Sequence, residues 1–223
     1  MMRVHLLVEG QTEEAFVNRL LRPYYERMGL WFTPIIVCTS IGHRGGVCSY
    51  DQIRPQIECL CRDTSAFVST MFDLYGLPKK FPGQDDPAWA KLRTGQEKAE
   101  FIELRMMNSI RLKNFIPNIV VHEYEALLFV QSERFSDWGA SKAAVKKLKD
   151  ARKKAAPENI NDNKKTAPSQ RILTAMPDYE KVTHGVEIAC AIGLSALRKE
   201  CPHFNAWLQK LENIHTQGTS CTK

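Results

Sequence analysis

An α/β fold is the class this sequence predicts: a mostly parallel central sheet of about four strands, flanked by helices and followed by a helical C-terminal extension. Three observations carry it. Four short apolar runs, Arg3–Val8, Trp31–Thr39, Phe67–Phe72 and Ile116–Val121, read as strands covered on both faces, as in a parallel sheet. Segments of helical spacing separate them. After Ser132 the strand signal stops and helical periodicity alone remains.

The chain has 223 residues, 43% hydrophobic and 25% charged, enough to bury a core in one domain with a helical appendage. The expected organisation is an α/β domain over 1–131, a helical extension packed on it over 132–214, and a flexible tail over 215–223. The formal net charge of +6 suits a nucleic-acid partner and equally suits solvated helix faces. Seven scattered cysteines include one C-x-C pair, Cys59 and Cys61, and no second pair at zinc spacing. They read as thiols of a reducing compartment. No secretory pattern opens the chain and no apolar run approaches a membrane span, so the expected location is the cytoplasm, with no membrane partner.

Taken in order, the first strand runs into Val8-Glu9-Gly10. Thr12 can cap the next helix, Glu13 and Glu14 suit its first turn, and Gly29 ends it. The loop Ser40–Val47 follows the second strand. There His43, Arg44, Gly45 and Gly46 form either a cationic phosphate cradle or a plain surface turn. Ser49–Arg62 is helical through Ile53, Ile57 and Leu60. Asp73 ends the third strand and opens a long Pro/Gly/Asp-rich loop to Pro87. Trp89–Ile110 is helical with an interruption at Thr94-Gly95. The fourth strand leads into His122-Glu-Tyr-Glu-Ala-Leu-Leu-Phe129. Helices are expected at Lys142–Lys154, Ser169–Met176, Val186–Glu200 and His203–Leu211.

Three strands therefore end on carboxylates, Glu9, Asp73 and Glu123. Strand ends of a parallel sheet share one edge, where open α/β sheets hold ligands. Acids packed there raise one another's pKa unless a cation lies between them, and Mg²⁺ or Mn²⁺ suits such oxygen donors. Metal-assisted phosphodiester hydrolysis is the chemistry this pattern points to. Glu13, one helical turn beyond Glu9, can face the same crevice. Glu125 shares a face with Glu123 on a strand but not on a helix. His122 either serves the site or holds a hydrogen-bonded structural position. The lysine-rich helix at 142–154 is a solvated face or a grip on a phosphate backbone.

The motifs VEGQTE at 8–13, GHRGGV at 42–47, MFDLYGLP at 71–78, HEYEALLF at 122–129, NDNKKTAPSQRI at 161–172, YEKVTHG at 179–185 and CPHFNAWL at 201–208 resemble the bacterial domain-of-unknown-function family 4276. That family is grouped with Toprim-like proteins, and Val8-Glu-Gly10 after an apolar strand is similar to the Toprim opening motif. The resemblance implies a Toprim-like fold and a nuclease acting on DNA or RNA, working as an effector with an ABC-type ATPase in bacterial defence. Glu9 matches the catalytic Toprim glutamate and Asp73 the first acid of its D-x-D motif. Tyr75 stands where the second acid belongs, so Glu123 or Glu125 must supply that ligand or the site is degenerate. In that event the protein is a non-catalytic subunit docking on an ATPase. Arg171 and Lys181 are the candidate phosphate contacts, in a phosphate- or partner-binding surface with Thr166, Ser169 and Gly185; equally, these residues cap and cross-link the tail helices. A nucleotide-binding module using the His43–Gly46 loop is a third reading, and a homo-oligomer is compatible with all three.

Overall fold

The computed structural model describes residues 1–40, 43–44, 46, 49–160 and 166–220. β1 (Met2–Val8) leads into α1 (Gln11–Phe16), a π-helical turn (Val17–Leu21) and α2 (Arg22–Glu26). Pro23 has no N–H to return to the preceding turn, and the helix widens just before it. Gly29, at φ 79°, takes the left-handed turn into β2 (Leu30–Ile36). A hairpin of β3 (Cys38–Ser40) and β4 (His43–Arg44) occupies part of the segment expected to be a loop.

Next come α3 (Tyr50–Cys61), β5 (Ala66–Asp73) and α4 (Gly95–Ile110). The expected interruption falls at Thr94, which accepts from the Glu97 N–H while the Glu97 side chain accepts from Thr94 N–H. β6 (Phe115–Ile116) and β7 (Ile119–Val120) replace the continuous fourth strand. Pro117 cannot donate to a ladder. Across the break Thr70 substitutes its hydroxyl for backbone, donating to Asn118 O at 2.8 Å and accepting from Asn118 N at 2.9 Å. A kinked 3₁₀ stretch, Tyr124–Trp138, leads to α5 (Lys142–Lys154) and α6 (Pro168–Ala175). Helices α7 (Val186–Ile192) and α8 (Leu194–Glu200) divide one expected helix at Gly193, φ 82°. α9 runs from Pro202 to Ser220, beyond its expected end at Leu211.

The sheet order is β2-β1-β5-β6, with β7 continuing beside β5, and every pairing in it is parallel. Adjacent residues of β1 feed opposite faces. Val4, Leu6 and Val8 pack with Phe16, Leu21 and the later helices through Leu148, Ile172, Ile188 and Trp207. Leu7 packs with Val68 and Phe72 against Ile53 and Ile57 of α3 and Ile102 and Met106 of α4. Two buried faces explain why the strands lack polar alternation. Among the described residues no helix is long and apolar enough to cross a membrane.

α9 is tied to the sheet by buried polar contacts. Trp207 Nε1 donates to Ser69 Oγ at 2.9 Å, and Glu158 accepts from the N–H groups of His203 and Phe204, capping the helix from a distance. His203 Nε2 lies 2.9 Å from Glu103 Oε1 and 3.1 Å from Ile119 O, so it carries the proton toward two acceptors. Burial lowers the His203 pKa. The hydrogen bond and charge of Glu103, with Glu158 and Glu100, outweigh that and raise it above 6.5.

A raised folded-state pKa contributes stability below the unfolded value, and that contribution is lost as pH rises through the folded one. His203→Gln is therefore expected to cost most stability below about pH 6.5. The gap to wild type in urea melts should narrow as pH rises above that value; a pH-independent gap would show that the imidazolium contributes nothing.

Candidate functional site

The carboxyl ends of β1 and β5 lie side by side, Val8 opposite Met71, and each chain continues into an acid. Glu9 reaches across the edge, where its Oε2 accepts from Asp73 N at 3.3 Å. Asp73 Oδ1 accepts from Tyr124 N at 2.8 Å, at the start of the 3₁₀ stretch. Glu123 stands just before that helix in extended backbone, and its Oε2 accepts from Ser169 N in the first turn of α6 at 2.9 Å. Glu13 closes a box at the start of α1, its Oε2 accepting from Gly10 N at 2.9 Å. Main-chain N–H groups, three of them at helix starts, thus hold four acids.

Glu125 differs. It is fully buried, and its Oε1 lies 2.8 Å from Lys181 Nζ. At that length the ammonium both neutralises and hydrogen-bonds the carboxylate, and Lys181 is the side chain that holds Glu125. Because the chain turns helical at Tyr124, Glu123 and Glu125 are not strand neighbours on one face.

The carboxylates press on one another. Burial, then the charges of Glu13, Glu9 and Glu125, push the Asp73 carboxyl far above its usual range, while Lys181 opposes them. Burial pushes Glu13 up to about 7, against its own backbone bonds and with help from Glu9 and Glu125. Glu9 and Glu125 are raised as well, desolvation leading in both. Among the described residues no three such side chains stand together in a geometry that could hold a metal ion. The acids converge electrostatically without closing around one point.

Other sequence candidates fall differently. Gly46 N donates to Glu9 O at 2.9 Å, which brings the glycine loop against the strand end. His43 and Arg44 lie in β4, and Gly45 lies outside the described residues. Arg171 is turned elsewhere: its Nε donates to Thr166 O at 2.7 Å, in a cleft of about 260 Å³ shared with Lys147. No ion pair joins Arg171 to the acids among the described residues. Ser169 and Gly185 are buried rather than displayed; Ser169 holds Glu123, and Gly185 O accepts from Tyr124 Oη at 3.1 Å.

Gly76 escaped notice in the sequence. A Cβ there would stand 2.9 Å from Glu9 Oε1 and 3.0 Å from Oε2, so the glycine leaves room for that carboxylate. Its only signal was a glycine three residues past a strand-end acid.

A parallel sheet whose strand ends collect five acids and one lysine along a single edge defines an α/β protein with an acidic cluster at the carboxyl ends of its strands, where open α/β sheets hold ligands. The chain belongs to the DUF4276 family, described as a domain of unknown function, whose model matches residues 8–212. No match emerges among curated proteins. Two solved structures are similar to it. One is the C-terminal region of the Burkholderia pseudomallei OLD protein, 16% identical with a TM-score of 0.46, covering 96% of this chain and 99% of that one. The other is the C-terminal region of the Xanthomonas campestris pv. campestris OLD protein, 14% identical with a TM-score of 0.40, covering 95% and 98%.

An acid with a raised native pKa makes the folded state less stable as pH climbs from the unfolded value of about 3.9 toward the native one. Asp73→Asn keeps an acceptor for Tyr124 N and removes the charge. It is expected to raise the metal-free melting temperature by a few degrees, about 2–4 °C per kcal/mol, at pH 7.5 and by less near pH 4. A variant less stable than wild type at pH 7.5 would contradict the proposed repulsion.

Proposed function

We propose that the protein is a Toprim-like, metal-dependent nuclease that hydrolyses phosphodiester bonds in DNA or RNA. The observation that carries this reading is the gathering of Glu9, Glu13, Asp73 and Glu125 at one sheet edge, where burial and mutual charge raise all four and Lys181 is the cation set against them. The Val8-Glu-Gly10 motif supports it independently. In chemistry the donor set suits a hard cation, since every candidate ligand atom is a carboxylate oxygen and mutual repulsion favours a positive charge among them; in geometry the described side chains would have to draw together to close around it. Glu9, Asp73 and Glu125 would hold Mg²⁺ or Mn²⁺, with Glu13 and Glu123 beside them. When bound, such an ion supplies Lewis-acid polarisation of the phosphoryl group and a water of lowered pKa.

The chain's own groups account for the rest. Lys181, 47% exposed, has its ammonium at the mouth of the cluster, where it can pair with a phosphate oxygen as well as with Glu125. Gly46 N donates to the main-chain O of Glu9, which seats that glycine against the strand end that carries the acid. A neutral acid among five can carry a proton to the leaving oxygen. Glu13, pushed up by burial and held by the Gly10 N–H, is a member placed beside the cluster for that role.

A second reading has its own observation. Tyr75, at the position of the second D-x-D acid, stands 39% exposed, 5.8 Å from the His122 ring, and supplies no carboxylate. A degenerate Toprim subunit that docks on an ABC-type ATPase, in a bacterial defence setting, would tolerate that change.

Glu9→Gln separates the two. On the nuclease reading it lowers Mg²⁺- or Mn²⁺-dependent cleavage of DNA or RNA by about a hundredfold or more with the melting temperature preserved. Wild-type protein that cuts neither substrate with either ion, with or without an ATPase partner, excludes the nuclease. Cellular activity undiminished in Glu9→Gln favours the docking subunit.

A further inference from the structure

Beside the acidic edge lies an open cleft of about 610 Å³, a volume that accommodates a nucleotide. Its walls include Tyr75, Trp89, Arg93, Lys98, His122 and Asn159, and among the described residues no carboxylate lines it. Tyr75 is two residues beyond Asp73 and His122 immediately precedes Glu123, so the wall begins within about 7 Å of backbone from the acids. Tyr75 N donates to His122 O at 3.0 Å, joining the two wall residues across the strand ends.

The wall is preorganised. His122 has a left-handed backbone, φ 65°, uncommon for a residue with a Cβ. A Cβ on Gly95 would come within 2.5 Å of the His122 ring, so α4 begins flush against the imidazole. Tyr75 leans on that ring yet keeps 39% of its surface exposed, an aromatic platform left open. Lys98 Nζ lies 5.7 Å from the centre of the Trp89 ring. No acidic side chain among the described residues lies within salt-bridge distance of Arg93 or Lys98. An exposed aromatic ring in a cleft whose lining also includes two such cations matches a base with its flanking phosphates.

We propose that this cleft seats one unpaired nucleotide of a single strand, the base on Tyr75 and the backbone phosphates on Arg93 and Lys98. The assignment deepens the nuclease reading: the strand is delivered to the acids from the Tyr75 side, and Tyr75 acts as a substrate platform in the place of a metal ligand. A base paired inside a duplex has no free face to offer, so the site selects single strands, overhangs or frayed ends.

The test is binding in EDTA, followed by fluorescence anisotropy with a fluorescein-labelled oligothymidylate of about 12 nucleotides, a blunt duplex of equal length, and thymidine monophosphate as competitor. Tyr75→Ala is expected to weaken single-strand binding about tenfold while leaving blunt-duplex binding unchanged, and Tyr75→Trp to restore it. Arg93→Ala and Lys98→Ala should each reduce the salt slope by about one. Wild-type protein that fails to bind the single strand, or Tyr75→Ala binding it as tightly as wild type, overturns the proposal. Equal loss on the blunt duplex also overturns it, as does competition by the monophosphate at the affinity of the strand. Cleavage assays on the same variants keep the two readings apart. Tyr75-dependent single-strand binding without cleavage by wild type supports this site and sinks the nuclease, whereas cleavage indifferent to Tyr75 does the reverse.

Discussion

Main-chain N–H groups hold the acids of this protein, and most of the architecture around the site follows from the need to supply those donors. Gly10 serves Glu13, Asp73 serves Glu9, Tyr124 serves Asp73, and Ser169 serves Glu123. A carboxylate removed from water needs hydrogen bonds or an opposite charge, or it takes up a proton. Strand ends and helix starts both have N–H groups that their own ladders leave free. The parallel sheet brings them to one edge, and α6 contributes a helix start from the later part of the chain.

That support is incomplete, and the shortfall leaves the acids under mutual strain. Hydrogen bonds lower the carboxyl pKa values, yet burial and like charge still leave Glu9, Glu13, Asp73 and Glu125 raised. Lys181 is the one cation placed against them in the described structure, and it pairs with the acid that lacks backbone donors. An arrangement with more negative charge than its fixed donors satisfy stores a preference for a further cation. The same excess opposes stability. Site and fold therefore make opposite demands at one edge, and the large cores on both faces of the sheet support the edge between them.

Two neighbouring surfaces divide the chemistry. The acids occupy the end of β1 and β5, while the aromatic and basic wall opens on the α4 side of the same edge. Tyr75 and His122 stand at the boundary. The chain passes from one surface to the other within two residues of Asp73 and within one of Glu123.

Much of this was legible in the residues. Both-faced apolar runs separated by helical spacing set the parallel α/β class, because a strand covered on both sides cannot alternate. Glu9 and Asp73 stood out as strand-end acids, Lys142–Lys154 was readable as a helix, and the stops at Gly29 and Thr94-Gly95 followed from backbone chemistry. The division of the fourth strand at Pro117, the turn that separates Glu123 from Glu125, and the role of Gly76 depended on neighbours far along the chain. So did the fates of the two cationic candidates from the tail: Lys181 lies on Glu125, whereas Arg171 is drawn to the Thr166 carbonyl. Periodicity and caps are local and survive in the sequence. Which acid receives which N–H, and which aromatic ring is left uncovered, is decided by long-range packing.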